Sequence, residues 1–139
     1  MLIIAIDGPS GVGKGTLAVN LAEELRLNYL NSGSIYRSIA YIAEINSINL
    51  NNTEELINIG SSIIFNIKPD SHDVEIIYEG KKINNFIFSE ETAKRASKIS
   101  SNKKLRLSLV SIQRSFAKEP GLIAEGRDMG SVIFPNAEI

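Results

Sequence analysis

Residues 2–16 read Leu2-Ile3-Ile4-Ala5-Ile6-Asp7-Gly8-Pro9-Ser10-Gly11-Val12-Gly13-Lys14-Gly15-Thr16, and the fold class turns on them. The apolar run Leu2 to Ile6 is too short for a helix and rich in β-branched Ile. It is predicted to be a strand buried on both faces, of the kind parallel sheets use. Gly8, Gly11, Gly13 and Gly15 then clear side chains from the backbone. Thr16 opens an amphipathic run with Leu17, Ala18, Leu21, Ala22 and Leu25 on one face, which predicts a helix ending near Leu27. Strand, glycine loop and helix in this order make an anion nest. Loop N–H groups and the helix N-terminus point at a polyphosphate, and Lys14 supplies a mobile positive charge.

The loop departs from the strict Walker A form in one place: Gly15 follows Lys14, and the hydroxyl comes one residue later at Thr16. That ending resembles nucleoside monophosphate kinases more than GTPases or motor ATPases. A glycine-rich turn that only joins a strand to a helix is the competing reading. The lysine, the hydroxyl and the flanking elements together weigh against it.

Working outward, Asn28 to Asn31 is predicted as a short strand. Ser34 is expected to cap a helix that turns Ile35, Ile39, Ile42 and Ala43 inward. A polar loop over 46–52 leads to Thr53, expected to cap a helix running through Gly60, with Glu54 and Glu55 at its positive end. Three short strands follow, at 63–67, 74–78 and 82–84, with turns at 69–71 and 79–81. They predict a small antiparallel insert over residues 62–87. Ser89 restarts helix toward Ser100, and Leu105, Leu109, Ile112 and Phe116 mark one further helix with a single apolar stripe. Pro120-Gly121 breaks it. Leu122-Ile123-Ala124 is then a buried strand delivering Glu125, the arrangement in which an acid holds Mg²⁺ or its water shell. Ala137-Glu138-Ile139 reads as the start of a next strand.

The chain has 139 residues, 43% of them apolar, enough for one domain with a true core. A formal charge of −1 gives no pull toward nucleic acid or an anionic membrane, and the absence of cysteine excludes disulfides and thiolate metal sites. Leu2 to Ile6 is too short for a signal peptide or a span, so a soluble cytoplasmic protein is expected. The charge is uneven. Lys94, Arg95, Lys98, Lys103, Lys104, Arg106, Arg114 and Lys118 occupy a stretch with no acid. A solvated helical surface and an arginine or two facing a phosphate or base are both compatible with that composition. The lone His72, in a polar turn, reads as surface.

In open α/β sheets ligands sit beyond the carboxyl ends of the strands. Two strands here end on polar chemistry, and the segment after Asn31 is expected in the same crevice. Arg37 there can reach a second phosphate or be an ordinary surface arginine. Arg127 and Asp128 can form a structural ion pair, or can bind phosphate and accept from an exocyclic amine.

These residues resemble the bacterial cytidylate kinases. Three phrases carry the resemblance: Ala5 to Leu17, Ser32-Gly33-Ser34-Ile35-Tyr36-Arg37, and Gly126-Arg127-Asp128-Met129-Gly130-Ser131-Val132-Ile133-Phe134-Pro135. The last is the most specific. The resemblance covers essentially the whole chain. It implies an α/β fold of the P-loop NTPase type, similar to nucleoside monophosphate kinases: a parallel sheet flanked by helices, with a small antiparallel insert. Residues 1–139 would form a single kinase domain, C-terminally incomplete, since relatives continue through further core strands, an adenine-binding segment and an arginine-bearing lid.

The activity implied is transfer of the ATP γ-phosphoryl group to CMP or dCMP, giving CDP or dCDP, by a cytoplasmic monomer with no nucleic-acid or membrane partner. Gly8, Pro9, Ser10, Gly11, Val12, Gly13, Lys14, Gly15 and Thr16 would hold the ATP phosphates. Ser32, Arg37 and Arg127 would hold the ribose-phosphate side of CMP, and Ser97, Arg106 and Asp128 would read the cytosine edge. Lys14, Arg37 and Arg127 are the expected catalytic residues, and Thr16 and Glu125 the ligands of Mg²⁺, directly or through water. The family usually has Asp at positions 31 and 125, where this chain has Asn and Glu. Two other readings stay open: a kinase of another small acceptor such as AMP, UMP or a sugar acid, and a nucleotide-binding module with weak catalysis because the lid is missing.

Overall fold

The computed structural model describes residues 1–8, 14–67 and 74–139, with Lys14 described in its backbone. The loop residues Pro9, Ser10, Gly11, Val12 and Gly13, the turn expected at 69–71, and His72 lie outside the described residues. Two compact units emerge: residues 1–32, 67–74 and 111–139 in the first, and 33–66 and 75–110 in the second.

In the first unit, β1 (Leu2–Asp7), β2 (Asn28–Asn31) and β6 (Gly121–Gly126) form a parallel sheet in the order β1-β6-β2. The intervening strands belong to a small sheet, β3 (Ile64–Ile67), β4 (Val74–Tyr78) and β5 (Lys81–Lys82), in the order β3-β4-β5, with β4 and β5 antiparallel. The α/β architecture and the small antiparallel sheet therefore match the sequence expectation.

The central strand is β6, not β1. All of Gly121 to Glu125 is buried, and β1 and β2 pair with its two edges. Within β1 only Ile4 is buried, which corrects the expectation that this strand is covered on both faces. Glu138 N–H donates to the Ile3 carbonyl at 3.2 Å and Ala5 N–H to the Ile139 carbonyl at 2.9 Å, so residues 138 and 139 run along its other edge. Helix α1 (Lys14–Leu25) covers one face. Its Ala18 and Ala22 are small enough to bring the helix close to Ile4, Leu27 and Ile123.

The second unit is mainly helical: α2 (Ser32–Ile45), α3 (Thr53–Ser62), α4 (Glu90–Ser100) and α5 (Lys103–Ser108). Ile35, Ile39, Ile42 and Ala43 form the buried stripe of α2, as their spacing requires. Among the described residues three helix starts are capped by side chains. Ser89, where the helix was expected to restart, accepts from Thr92 N–H at 3.1 Å. Asn52 accepts from Glu55 N–H, so the cap of α3 lies one residue before Thr53. Asn102 accepts from Leu105 N–H and donates to the Thr53 hydroxyl, tying α5 to α3.

Three element expectations need correction. Helix α2 begins at Ser32, so Ser34 lies inside it, with its carbonyl accepting from Ser38 Oγ at 2.7 Å. The single helix expected over 105–116 is two, α5 and α6 (Val110–Arg114), because the chain turns at Leu109. The third strand of the insert ends at Lys82, and Asn84–Phe86 forms a 3₁₀ turn.

Candidate active site at the carboxyl end of the sheet

Parallel pairing in register brings the strand ends together: Ile6 lies beside Glu125, Asp7 beside Gly126, and Asn31 beside Glu125 on the far side. Gly8 N–H donates to the Gly126 carbonyl at 3.2 Å, extending the β1–β6 ladder to the first glycine of the loop. The glycine loop and the Gly126-Arg127-Asp128 phrase thus leave the sheet at one edge.

Glu125 is 4% exposed, which a carboxylate tolerates only with partners. Its Oε1 accepts the hydroxyl of Tyr29, a residue the sequence analysis did not single out. Burial first, and then this carboxylate, push the Tyr29 phenol far above its ordinary value, so Tyr29 stays a donor. On the other side Glu125 lies against α1. A Cβ built on Gly15 would meet Oε1 at 3.5 Å and Oε2 at 3.7 Å, so the first turn of α1 rests on the carboxylate. Thr16, the next residue, is exposed. One carboxylate and one hydroxyl at a phosphate loop are hard oxygen donors, and they suit Mg²⁺, which takes one or two carboxylates and otherwise water and phosphate oxygens. Among the described residues no group of three or more His, Asp or Glu gathers as a metal cage.

Ser32 is buried and donates to Gln113 Oε1 at 2.8 Å. Gln113 sits on α6 and is itself buried, a second site neighbour that no motif singles out. Gly126 makes room for this pair: a Cβ there would lie 2.6 Å from Ser32 Cβ. After Gly126 the chain turns sharply. Arg127 is exposed, and Asp128 adopts the left-handed conformation at φ 57°, ψ 28°. Met129–Ile133 then wind into a π-helical turn. Both ends of that turn are held. Asp7 accepts from Met129 N–H at 2.5 Å and Gly130 N–H at 3.1 Å. Arg114 donates from Nε to the Ile133 carbonyl at 2.9 Å and from Nη2 to the Val132 carbonyl at 3.1 Å.

The remaining sequence candidates lie in the second unit. Arg37 is in the second turn of α2; it is half-buried, donates to the Ile87 carbonyl at 3.3 Å and stacks 5.7 Å from the centroid of Phe88. A partly packed guanidinium of this kind has fewer conformations to lose than a free surface arginine. Ser97 is exposed on α4, and Arg106 is half-buried on α5.

A family model described as Cytidylate kinase matches residues 4–139. The chain is 41% identical over 137 residues to a cytidylate kinase of Aliivibrio salmonicida, covering 99% of this chain and 61% of that relative. It is 42% identical over 137 residues to a cytidylate kinase of Aeromonas salmonicida, covering 99% and 60%. It is also 42% identical over 138 residues to cytidylate kinase 1 of Haemophilus influenzae, again covering 99% and 60%. The chain therefore spans about three fifths of the length of the curated relatives it matches.

Proposed function

The chain belongs to the cytidylate kinase family, and from that premise we propose that the protein transfers the γ-phosphoryl group of ATP to CMP or dCMP, releasing ADP with CDP or dCDP. The observation that carries the reading is the shared exit of β1 and β6. It sets the start of the phosphate loop beside the Gly126-Arg127-Asp128 phrase, as a reaction between two bound phosphates requires.

Phosphoryl transfer leaves the protein little covalent chemistry; positioning and charge neutralisation do the work. A phosphate oxygen of the acceptor attacks the γ-phosphorus, and the bond to the β–γ bridging oxygen breaks. Gly8 to Thr16 cradle the ATP phosphates, with Lys14 drawing charge off the β- and γ-oxygens. Ser32, Arg37 and Arg127 hold the monophosphate, and Ser97, Arg106 and Asp128 read cytosine, whose amine and two acceptors are complemented by one carboxylate and two donors. Thr16 and Glu125 would hold Mg²⁺, directly or through water, and the bound ion would supply positive charge against the phosphate oxygens.

In this reading residues 1–139 belong to one kinase domain and residues 62–87 are the β insert of its monophosphate-binding part. The protein works as a monomer in the cytoplasm; among the described residues no helix is long and apolar enough to cross a membrane.

Calorimetric titration of this chain with CMP, with UMP and AMP as controls, tests the acceptor assignment without requiring turnover. Saturable binding selective for CMP is expected. Equal affinity for the three, or none in a chain that circular dichroism shows to be folded, would refute it in favour of another acceptor.

A further inference from the structure

We propose that Asp7 is a positioning residue for the acceptor: by holding the backbone of Met129 and Gly130 it sets the conformation in which Arg127 meets the acceptor's phosphate and Asp128 its base. The inference rests on the reading of residues 127 and 128 given above.

Asp128, at φ 57°, lies in the left-handed region, which Asp enters more readily than most residues with a Cβ but still at a cost. Downstream, the Asp128 carbonyl accepts from Val132 N–H at 3.0 Å and Ile133 N–H at 3.1 Å. Those bonds close the π-helical turn but do not anchor it to the sheet. Asp7 does, since its two carboxylate oxygens take the two N–H groups that follow Asp128, at 2.5 Å and 3.1 Å. Hydrogen bonds to an ionised carboxylate are about twice as strong as neutral ones, and two of them fix both the position and the rotation of the turn. The acid also stands where it matters for the reaction. Asp7 ends β1 directly before Gly8, and Gly8 N–H holds the Gly126 carbonyl. Bonds at 7 and 8 thus grip both sides of Arg127 and Asp128, from the strand that opens the phosphate loop. Asp7 neither needs to touch CMP nor to bear on the metal to act in this way.

Asp7→Asn is the informative change. It keeps the size of the side chain but leaves a single acceptor oxygen, so one of the two N–H groups loses its partner. Gly130→Ala perturbs the same contact from the other side, because its Cβ would lie 3.3 Å from Asp7 Oδ2. Wild type, Asp128→Ala and both variants are titrated calorimetrically with CMP and UMP, below the melting temperature of each. The wild type is expected to favour CMP and Asp128→Ala to lose that preference. Asp7→Asn should bind CMP about tenfold more weakly, the weight of one charge-assisted hydrogen bond, and should narrow the CMP-to-UMP ratio.

A purely structural cap would lower the melting temperature and leave that ratio where it was. A folded Asp7→Asn chain with wild-type CMP affinity and ratio overturns the proposal. If Asp7→Asn does not fold, Gly130→Ala decides by the same criteria. A wild-type chain without CMP preference, or an Asp128→Ala chain that keeps it, overturns the underlying reading and is visible before the Asp7 data are considered.

Discussion

Tyr29 donates its phenolic hydroxyl to Glu125 Oε1 across the β2–β6 pair, diagonal to its own register partner Ile123. The contact explains how a chain can carry a glutamate, one methylene longer than aspartate, at the buried end of its central strand. The extra reach is taken up by a partner that approaches from the neighbouring strand. Tyr29→Phe removes the donor and leaves a buried acceptor unpaired, a loss of roughly 1–3 kcal/mol. The expected outcome is a melting temperature lower by several degrees with the far-ultraviolet spectrum unchanged. A Phe variant as stable as the wild type would show that Glu125 is satisfied without Tyr29.

Glu125→Gln separates charge from geometry. The amide keeps a carbonyl oxygen for the Tyr29 hydroxyl, so the fold should survive, but the negative charge beside α1 is gone. If Glu125 helps to hold the ion, Mn²⁺ used in place of Mg²⁺ should bind the ATP complex on the order of tenfold more weakly, as read from its electron paramagnetic resonance signal. Unchanged Mn²⁺ affinity in a folded variant would remove Glu125 from the metal site and leave it a structural acid.

The sequence made the frame of this site legible and hid its support. An apolar run of Leu122-Ile123-Ala124 ending on an acid could be read as a buried strand delivering Glu125, because burial on both faces leaves a continuous apolar signature. The partner of Glu125 could not be read, since Tyr29 lies 96 residues away and meets it only through the register of β2 on β6. Gln113 was hidden for a different reason. It sits in a basic stretch on what the apolar spacing suggested was one helix, whereas that helix is interrupted at Leu109 and Gln113 lies on the separate α6. Asp7 left a usable trace: like Glu125, it is an acid closing an apolar strand at the sheet's carboxyl end. The start of α2 was misplaced because Ser34 looks like a cap, whereas Ser32, hydrogen-bonded to Gln113, already begins the helix.

Glu138 offers a test by pH. Its Oε2 accepts from Ile3 N–H at 2.8 Å, and that bond holds the carboxyl below its ordinary value of 4.5. A carboxylate lowered in the folded state stabilises the fold above its ordinary pKa and ceases to do so as pH falls through the lowered value. Residues 138 and 139 should therefore remain along β1 at neutral pH and loosen in the acid range below 4.5. The Ile3 amide, followed by nuclear magnetic resonance, should shift with a single titration in that range, and Glu138→Gln should abolish it. A shift that survives the Gln substitution would assign the titration to another group.

At Gly126 the strand end has no room for a side chain. The Cβ of an alanine would fall 2.6 Å from Ser32 Cβ and 3.2 Å from Met129 Cε. The methionine tip can swing aside, but Ser32 cannot: it is buried, begins α2 and is tied to Gln113. Relief must then come from β6 itself, by displacing residues 126–128 and stretching the bond from Gly8 N–H to the Gly126 carbonyl. Gly126→Ala is expected to destabilise by about 1–3 kcal/mol, the usual range for overpacking a filled site. CMP binding should fall further than that loss of stability alone explains, because Arg127 and Asp128 move with the strand end. Thermal unfolding and calorimetric titration on the same sample separate the two effects. A variant that melts early yet binds CMP as the wild type does would show that the acceptor site tolerates the displacement, and that residues 127 and 128 do not define it.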